Sequence, residues 1–190
     1  MTKFILHGGE TGRKTEDNKK FFSEMTTDLE NPVKVLCVYF SRPKDEWDRL
    51  FKQDQVNFTK AAPSRQIEFE RAEDKTEIFN RQVKKADVIY MRGGTTKILL
   101  DTLKTIENFS DLIKDKVVSG SSAGACALSK YYCTGSKDAP ISEGLGILNI
   151  KTIVHYDPSN EKLLQDMKMQ GDRTLEIYKI PEEKLFIISK

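Results

Sequence analysis

Gly120-Ser121-Ser122-Ala123-Gly124 fits G-x-S-x-G, the pattern in which a serine stands on a sharp turn between a strand and a helix with its hydroxyl turned outward. So tight a bend brings the residues two before and two after the serine together, and glycine at both leaves room for it. With 11 glycines and 12 serines in 190 residues, composition alone gives roughly 0.04 such matches. The flanks also suit the pattern: Val117 to Gly120 reads as a short strand and Ala125 to Lys130 as the start of a helix. The plain alternative is a small-residue turn packing a helix on a strand. The chemistry the pattern suits is attack of a serine oxygen on a carbonyl.

A serine hydroxyl is a weak nucleophile at neutral pH and needs a base within hydrogen-bond reach, most often histidine. Two are present. His155 closes the strand-like segment Ile153-Val154-His155, and His7 closes Phe4 to His7 just before Gly8-Gly9; His155 is the preferred base and His7 the reserve. Attack builds negative charge on oxygen, which backbone amides can stabilise. Gly93 and Gly94, in Arg92-Gly93-Gly94-Thr95-Thr96, offer one donor and the amide of Ala123 a second. A carboxylate should orient the imidazole, and Asp138, Glu143, Asp157 and Glu182 are all candidates that spacing does not separate. Arg92 reads either as a cation for a substrate carboxylate or as a solvent-facing arginine at a strand end.

Positioning these groups requires an alternation of strands and helices. Val33 to Phe40 is a nearly continuous apolar run, as an inner parallel strand should be, and Val88 to Met91 is a second. Helical spacing marks Glu16 to Leu29, Asp45 to Ala62, a segment capped by Asp74 and running to Ala86, and the stretch through Ile98, Leu99 and Leu103. Gln66 to Arg71 reads as an outer strand. Lys151 to His155, Asn160 to Gln170, Leu175 to Ile180 and Leu185 to Ile188 read as strand, helix, strand and strand. The fold class is α/β, a doubly wound and mostly parallel sheet in one domain spanning 1–190. In such sheets ligands bind at the carboxyl ends of strands, where the glycine turns after Leu6, Met91 and Val118 would gather.

Lys plus Arg total 31 and Asp plus Glu 29, a net charge of +2 that gives no electrostatic reason to expect nucleic acid or a membrane surface as partner. The apolar runs fall well short of the roughly 20 residues that span a bilayer. The opening Met1-Thr2-Lys3-Phe4-Ile5-Leu6-His7 reads as a first strand and not a signal peptide, so a cytoplasmic protein is expected. Cys37, Cys126 and Cys133 contain no C-x-x-C pair and the two histidines are far apart, so neither a metal nor another cofactor is expected.

Taken together, the turn Tyr90 to Thr96, the bend Gly120 to Ala125, Asp138-Ala139-Pro140-Ile141, Gly144-Leu145-Gly146-Ile147-Leu148, His155-Tyr156-Asp157 and Ile180-Pro181-Glu182 resemble the peptidase E (aspartyl dipeptidase) and cyanophycinase family of serine peptidases. The resemblance spans most of the chain. It implies a flavodoxin-like or class I glutamine-amidotransferase-like three-layer sandwich and a Ser-His-acid triad, with Ser122 as nucleophile and His155 as base. Asp138 and Glu182 each match an acidic position of the family. The implied substrate is a short peptide, and either a monomer or a homodimer fits.

Two departures matter. The dipeptidase grips an N-terminal aspartate with an arginine in the helix after the histidine, whereas Asn160 to Gln170 holds Lys162 and Lys168 and no arginine. A lysine supplies charge without the two-pronged grip of a guanidinium. The chain also ends soon after its last strand, so an open pocket is expected. Two readings compete with a peptidase: an esterase or thioesterase of α/β-hydrolase type, suggested by the same bend with His7-Gly8-Gly9, and a non-catalytic binding module on the same fold.

Overall fold

The computed structural model describes residues 1–136, 139–159 and 161–190. A first sheet of six strands has the order β10-β1-β5-β4-β2-β3. It contains β1 (Lys3–His7), β2 (Val33–Val38), β3 (Ile67–Arg71), β4 (Val88–Met91) and β5 (Val117–Ser121), mutually parallel, and β10 (Leu185–Ser189), antiparallel to β1. β4 and β5 are buried at every residue, whereas β3 at the edge alternates between half-buried and exposed. Those patterns follow from covering inner strands on both faces and an edge strand on one.

Helices cover both sides, giving a three-layer α/β fold. α1 (Glu16–Glu24) packs on α2 (Trp47–Ala61), α3 (Thr76–Lys85) on α5 (Phe109–Leu112), and α4 (Thr96–Leu103) on α6 (Ala123–Leu128). Phe22 of α1 meets Phe58 of α2 at 5.0 Å and Tyr90 of β4 at 5.8 Å between ring centroids, both edge-on. Thr15 caps α1 by accepting from the Asn18 amide at 3.3 Å, and the helix stops at Glu24, short of Leu29. Asp74 does not cap α3: Lys75 holds that position without a side-chain bond, and Asp74 pairs with Lys44 at 2.5 Å.

A second sheet, unforeseen as a separate layer, has the order β7-β6-β8-β9. β6 (Ser129–Thr134), β8 (Leu148–Val154) and β9 (Ile177–Ile180) are parallel, and β7 (Ser142–Glu143) is antiparallel to β6. The helix expected to continue to Lys130 ends at Leu128. Ser129 causes the change: its hydroxyl donates to the Ala125 carbonyl at 2.9 Å and lies 2.6 Å from the Thr152 hydroxyl of β8, so the chain enters a strand carrying Tyr131 and Tyr132. α7 (Glu161–Met169) follows β8, and fully buried Lys151 donates to the carbonyls of Met167 and Lys168 at its end, a cation at the negative pole of a helix.

The two sheets are joined by main chain. Gly8 donates to Lys184 O at 3.0 Å and accepts from the His155 amide at 3.1 Å; Gly9 accepts from the Glu183 amide at 3.1 Å; Ser122 donates to His7 O at 2.8 Å. The Gly8-Gly9 turn therefore touches the end of β8, the turn between β9 and β10, and, through His7, the end of β5.

Candidate active site

Ser122 leaves β5 with φ 46 and ψ −102, a conformation that costs a side-chain-bearing residue about 1–3 kcal/mol and that surrounding contacts must hold. Its amide is fixed by His7 O, and its carbonyl accepts from the Cys126 amide at 2.9 Å as α6 begins. The glycines are required by contact: a Cβ on Gly120 would lie 2.3 Å from the Gly124 carbonyl carbon, and one on Gly124 would lie 2.5 Å from Met91 O.

His155 stands at the end of β8 with φ 51. Its ring rests on Gly9, where a Cβ would come within 2.1 Å of His155 Cε1. Nε2 is 2.9 Å from Ser122 Oγ, and Nδ1 is 3.2 Å from Glu182 Oε1. The bonds are mutually consistent when Nδ1–H donates to the carboxylate and Nε2 accepts from the serine hydroxyl. Glu182 arrives on the turn between β9 and β10, so serine, imidazole and carboxylate come from three separate junctions.

The other carboxylates fall elsewhere. Asp138 lies outside the described residues. Glu143 is exposed on β7 opposite Tyr131, and exposed Asp157 accepts from the Ser159 amide at 2.8 Å, a bond that holds its carboxyl below the usual range. His7, the reserve base, is fully buried, and it meets Ser122 through its carbonyl and not through its imidazole. Its Nδ1 accepts from the Gly9 amide at 3.2 Å and lies 3.4 Å from Ser121 Oγ, and its ring stacks on Phe21 at 4.1 Å. Burial lowers its pKa from 6.5 to about 4, although Asn18 and Glu183 favour the cation.

Arg92 lines the same cavity as Ser122 and His155 but is not the solvent-facing arginine of the plainer reading. Its side chain is buried in an ion pair with Asp54 and donates to Gln53 Oε1 at 3.1 Å. Tyr39 donates to the other Asp54 oxygen at 2.9 Å. Burial pushes the Asp54 carboxyl up, against the pull of Arg92 and Tyr39. The Arg92 carbonyl accepts from Ser41 Oγ at 2.7 Å, which pins the turn that follows. Gly93 lies against Ser122, a Cβ there being 3.1 Å from the serine Cβ. Among the described residues the amides of Gly93, Gly94 and Ala123 find no backbone acceptor.

A cavity of about 340 Å³ opens over Ser122, His155, Gly93 and Gly94. Two arginines that sequence reasoning passed over stand near it. Arg42 lines the cavity half-exposed and donates from Nε to Gly93 O at 2.6 Å. Arg13 forms an ion pair with Glu182, Nη1 to Oε2 at 2.8 Å. The available signal was position, since both follow the carboxyl ends of strands, β2 and β1. Among the described residues no cluster of three or more His, Cys, Asp or Glu could hold a metal.

The model of peptidase family S51 matches residues 4–190. The chain belongs to peptidase family S51. Membership makes it an enzyme and a serine peptidase. This S51 peptidase superposes with a TM-score of 0.67 on a protein from Listeria monocytogenes EGD-e provisionally named peptidase E, at 18% identity, covering 99% of this chain and 94% of that one. It superposes with a TM-score of 0.65 on a peptidase from an acI-B1 Actinobacterium, at 19% identity and covering 99% and 83%. At these identities the likeness is one of fold. No curated protein matches the S51 peptidase.

Proposed function

We propose that the protein is an exopeptidase of dipeptidase type that cleaves short peptides through an acyl-enzyme on Ser122. Ser122 Oγ attacks the scissile carbonyl carbon while its proton passes to His155 Nε2, and Glu182 holds the imidazolium through Nδ1. The carbonyl oxygen, now negative, is received by the amides of Ala123 and Gly93. His155 returns the proton to the departing amine as the C–N bond breaks. Water then attacks the ester, again giving its proton to His155, and releases the acid and Ser122.

The observation that carries this reading is the continuous run from Ser122 Oγ to His155 at 2.9 Å and on to Glu182 at 3.2 Å. Among the described carboxylates it supports Glu182 as the acid. A cavity of about 340 Å³ with a cation on its wall, Arg42, suits a short peptide whose free carboxylate lies close to the scissile bond. We take the reaction to run in the cytoplasm, because Cys37, Cys126 and Cys133 are buried free thiols, the state a reducing compartment maintains. Among the described residues no helix is long and apolar enough to cross a membrane.

The test is Ser122→Ala against a dipeptide panel and a fluorophosphonate probe. Turnover should fall by at least roughly 10⁴-fold and labelling should vanish, with the melting temperature kept. Retained hydrolysis by Ser122→Ala, or preference for esters over every peptide offered, would overturn the proposal.

A further inference from the structure

Glu182 has two carboxylate oxygens, and only one faces His155. Oε1 lies 3.2 Å from His155 Nδ1, and Oε2 lies 2.8 Å from Arg13 Nη1. The same Nη1 donates to Glu183 Oε1 at 3.0 Å, and Arg13 Nε is 3.5 Å from Glu10 Oε2. One guanidinium is thus held by carboxylates from the loop after β1 and from the turn between β9 and β10. The Glu182 side chain is 40% exposed, so neither packing nor burial fixes its rotamer. Glu10, Thr11 and Gly12, which lead to Arg13, line the same cavity as Ser122.

Resting on the proposed reaction, we infer that Arg13 is a positioning residue that holds the Glu182 carboxylate in the orientation His155 requires. Arg13 touches neither Ser122 nor the imidazole, and its effect reaches the chemistry through Glu182. The imidazolium formed during acylation needs Oε1 on the Nδ1 side, and the ion pair of Arg13 with Oε2 restricts rotation of the carboxyl group away from it. With Arg13 half-exposed, the ion pair adds little to stability and is screened by salt. The signature is therefore a loss in turnover without a comparable loss in stability.

The experiment measures kcat, KM and melting temperature for wild type, Ser122→Ala, Glu182→Gln, Arg13→Ala, Arg13→Lys and the Arg13→Ala/Glu182→Gln double variant, at low salt and at 0.5 M NaCl. Arg13→Ala should lower kcat about tenfold, less than Glu182→Gln does, with KM changed under about threefold and the melting temperature within about 2 °C. Arg13→Lys should recover part of the loss. The double variant should be no slower than Glu182→Gln alone, because the arginine acts only through that carboxylate. Salt should slow wild type more than Arg13→Ala.

A wild-type kcat in Arg13→Ala, or losses that multiply in the double variant, would overturn the role given to Arg13. An inactive Ser122→Ala beside a normal Arg13→Ala removes this inference alone. An active Ser122→Ala removes the reaction on which it rests as well. Should Arg13→Ala fail to fold, Arg13→Gln in the same double-variant comparison decides between coupled and independent losses.

Discussion

His7 should make the fold acid-sensitive, and His7→Asn should remove that sensitivity. In the native state the ring is fully buried, Nδ1 accepts from the Gly9 amide and Nε2 has no hydrogen-bond partner among the described residues, so a proton added at Nδ1 would cost the Gly9 bond and bury a charge. Burial lowers the pKa from 6.5 to about 4. Below the unfolded value the unfolded chain binds a proton that the folded chain refuses. The stability that His7 supports is therefore complete above about pH 6.5, falls as the pH drops, and is lost by about pH 4. A shift of about 2.5 pKa units at 1.36 kcal/mol each comes to about 3 kcal/mol, or about 6–12 °C in melting temperature for a domain of this size. Asparagine can still accept from Gly9 but does not titrate. Urea unfolding from pH 7.5 to pH 4 should find the variant the less stable at pH 7.5, where it lacks the stacking on Phe21, with the gap closing by about 3 kcal/mol as the pH falls. Parallel curves, within about 0.5 kcal/mol throughout, would show that His7 is not held neutral and that the reasoning about its burial is wrong.

Two further outcomes follow from contacts at the site. Gly9→Ala places a methyl group 2.1 Å from His155 Cε1 at a backbone φ of 127, so the ring must move. A displacement near 1 Å should cost about 10²-fold in kcat while the protein still melts cooperatively; unchanged kinetics would mean that the ring is positioned by something else. Asp54→Asn leaves the Arg92 charge buried without its counter-charge and should destabilise by about 3–5 kcal/mol, lowering the melting temperature by roughly 10 °C. A drop under about 3 °C in thermal unfolding would contradict the idea that the buried Arg92 charge depends on Asp54.

The readable parts of the sequence were those that depend on neighbours in the chain. Ser122 declares itself because the bend needs small residues at Gly120 and Gly124, and their clashing Cβ positions show why. The apolar runs that became β2 and β4 were legible because inner parallel strands tolerate little else. Long-range effects stayed hidden. Arg92 carries no sign of being buried, since its partner Asp54 lies 38 residues earlier on a helix whose charged surface gives no hint of one inward-facing carboxylate. Ser129 was read as helix because nothing in the apolar run Ala123 to Leu128 before it marks a stop; what ends the helix is a bond to Thr152, 23 residues away. The carboxylate beside His155 could not be chosen from spacing because Glu182 reaches His155 only after the chain has crossed from the second sheet back towards the first.

That crossing decides how the site is held together. Ser122 directly follows a strand of the first sheet and His155 a strand of the second, so their 2.9 Å separation is fixed by neither sheet alone. Each of the two carries a positive φ, 46 and 51, strain that persists only where outside bonds hold it. Those bonds converge on one short stretch: His7 O takes the Ser122 amide, Gly8 O takes the His155 amide, and the Gly9 amide is tied back to His7 Nδ1. The segment from His7 to Gly9 is then the spacer between Ser122 and His155. Glycine at both later positions lets the two sheets approach closely enough for an alcohol and an imidazole to meet, since a Cβ on Gly8 would fall 1.9 Å from Pro181 O and one on Gly9 inside the imidazole. On this argument the two glycines set the geometry of the site as directly as the residues that would perform its chemistry.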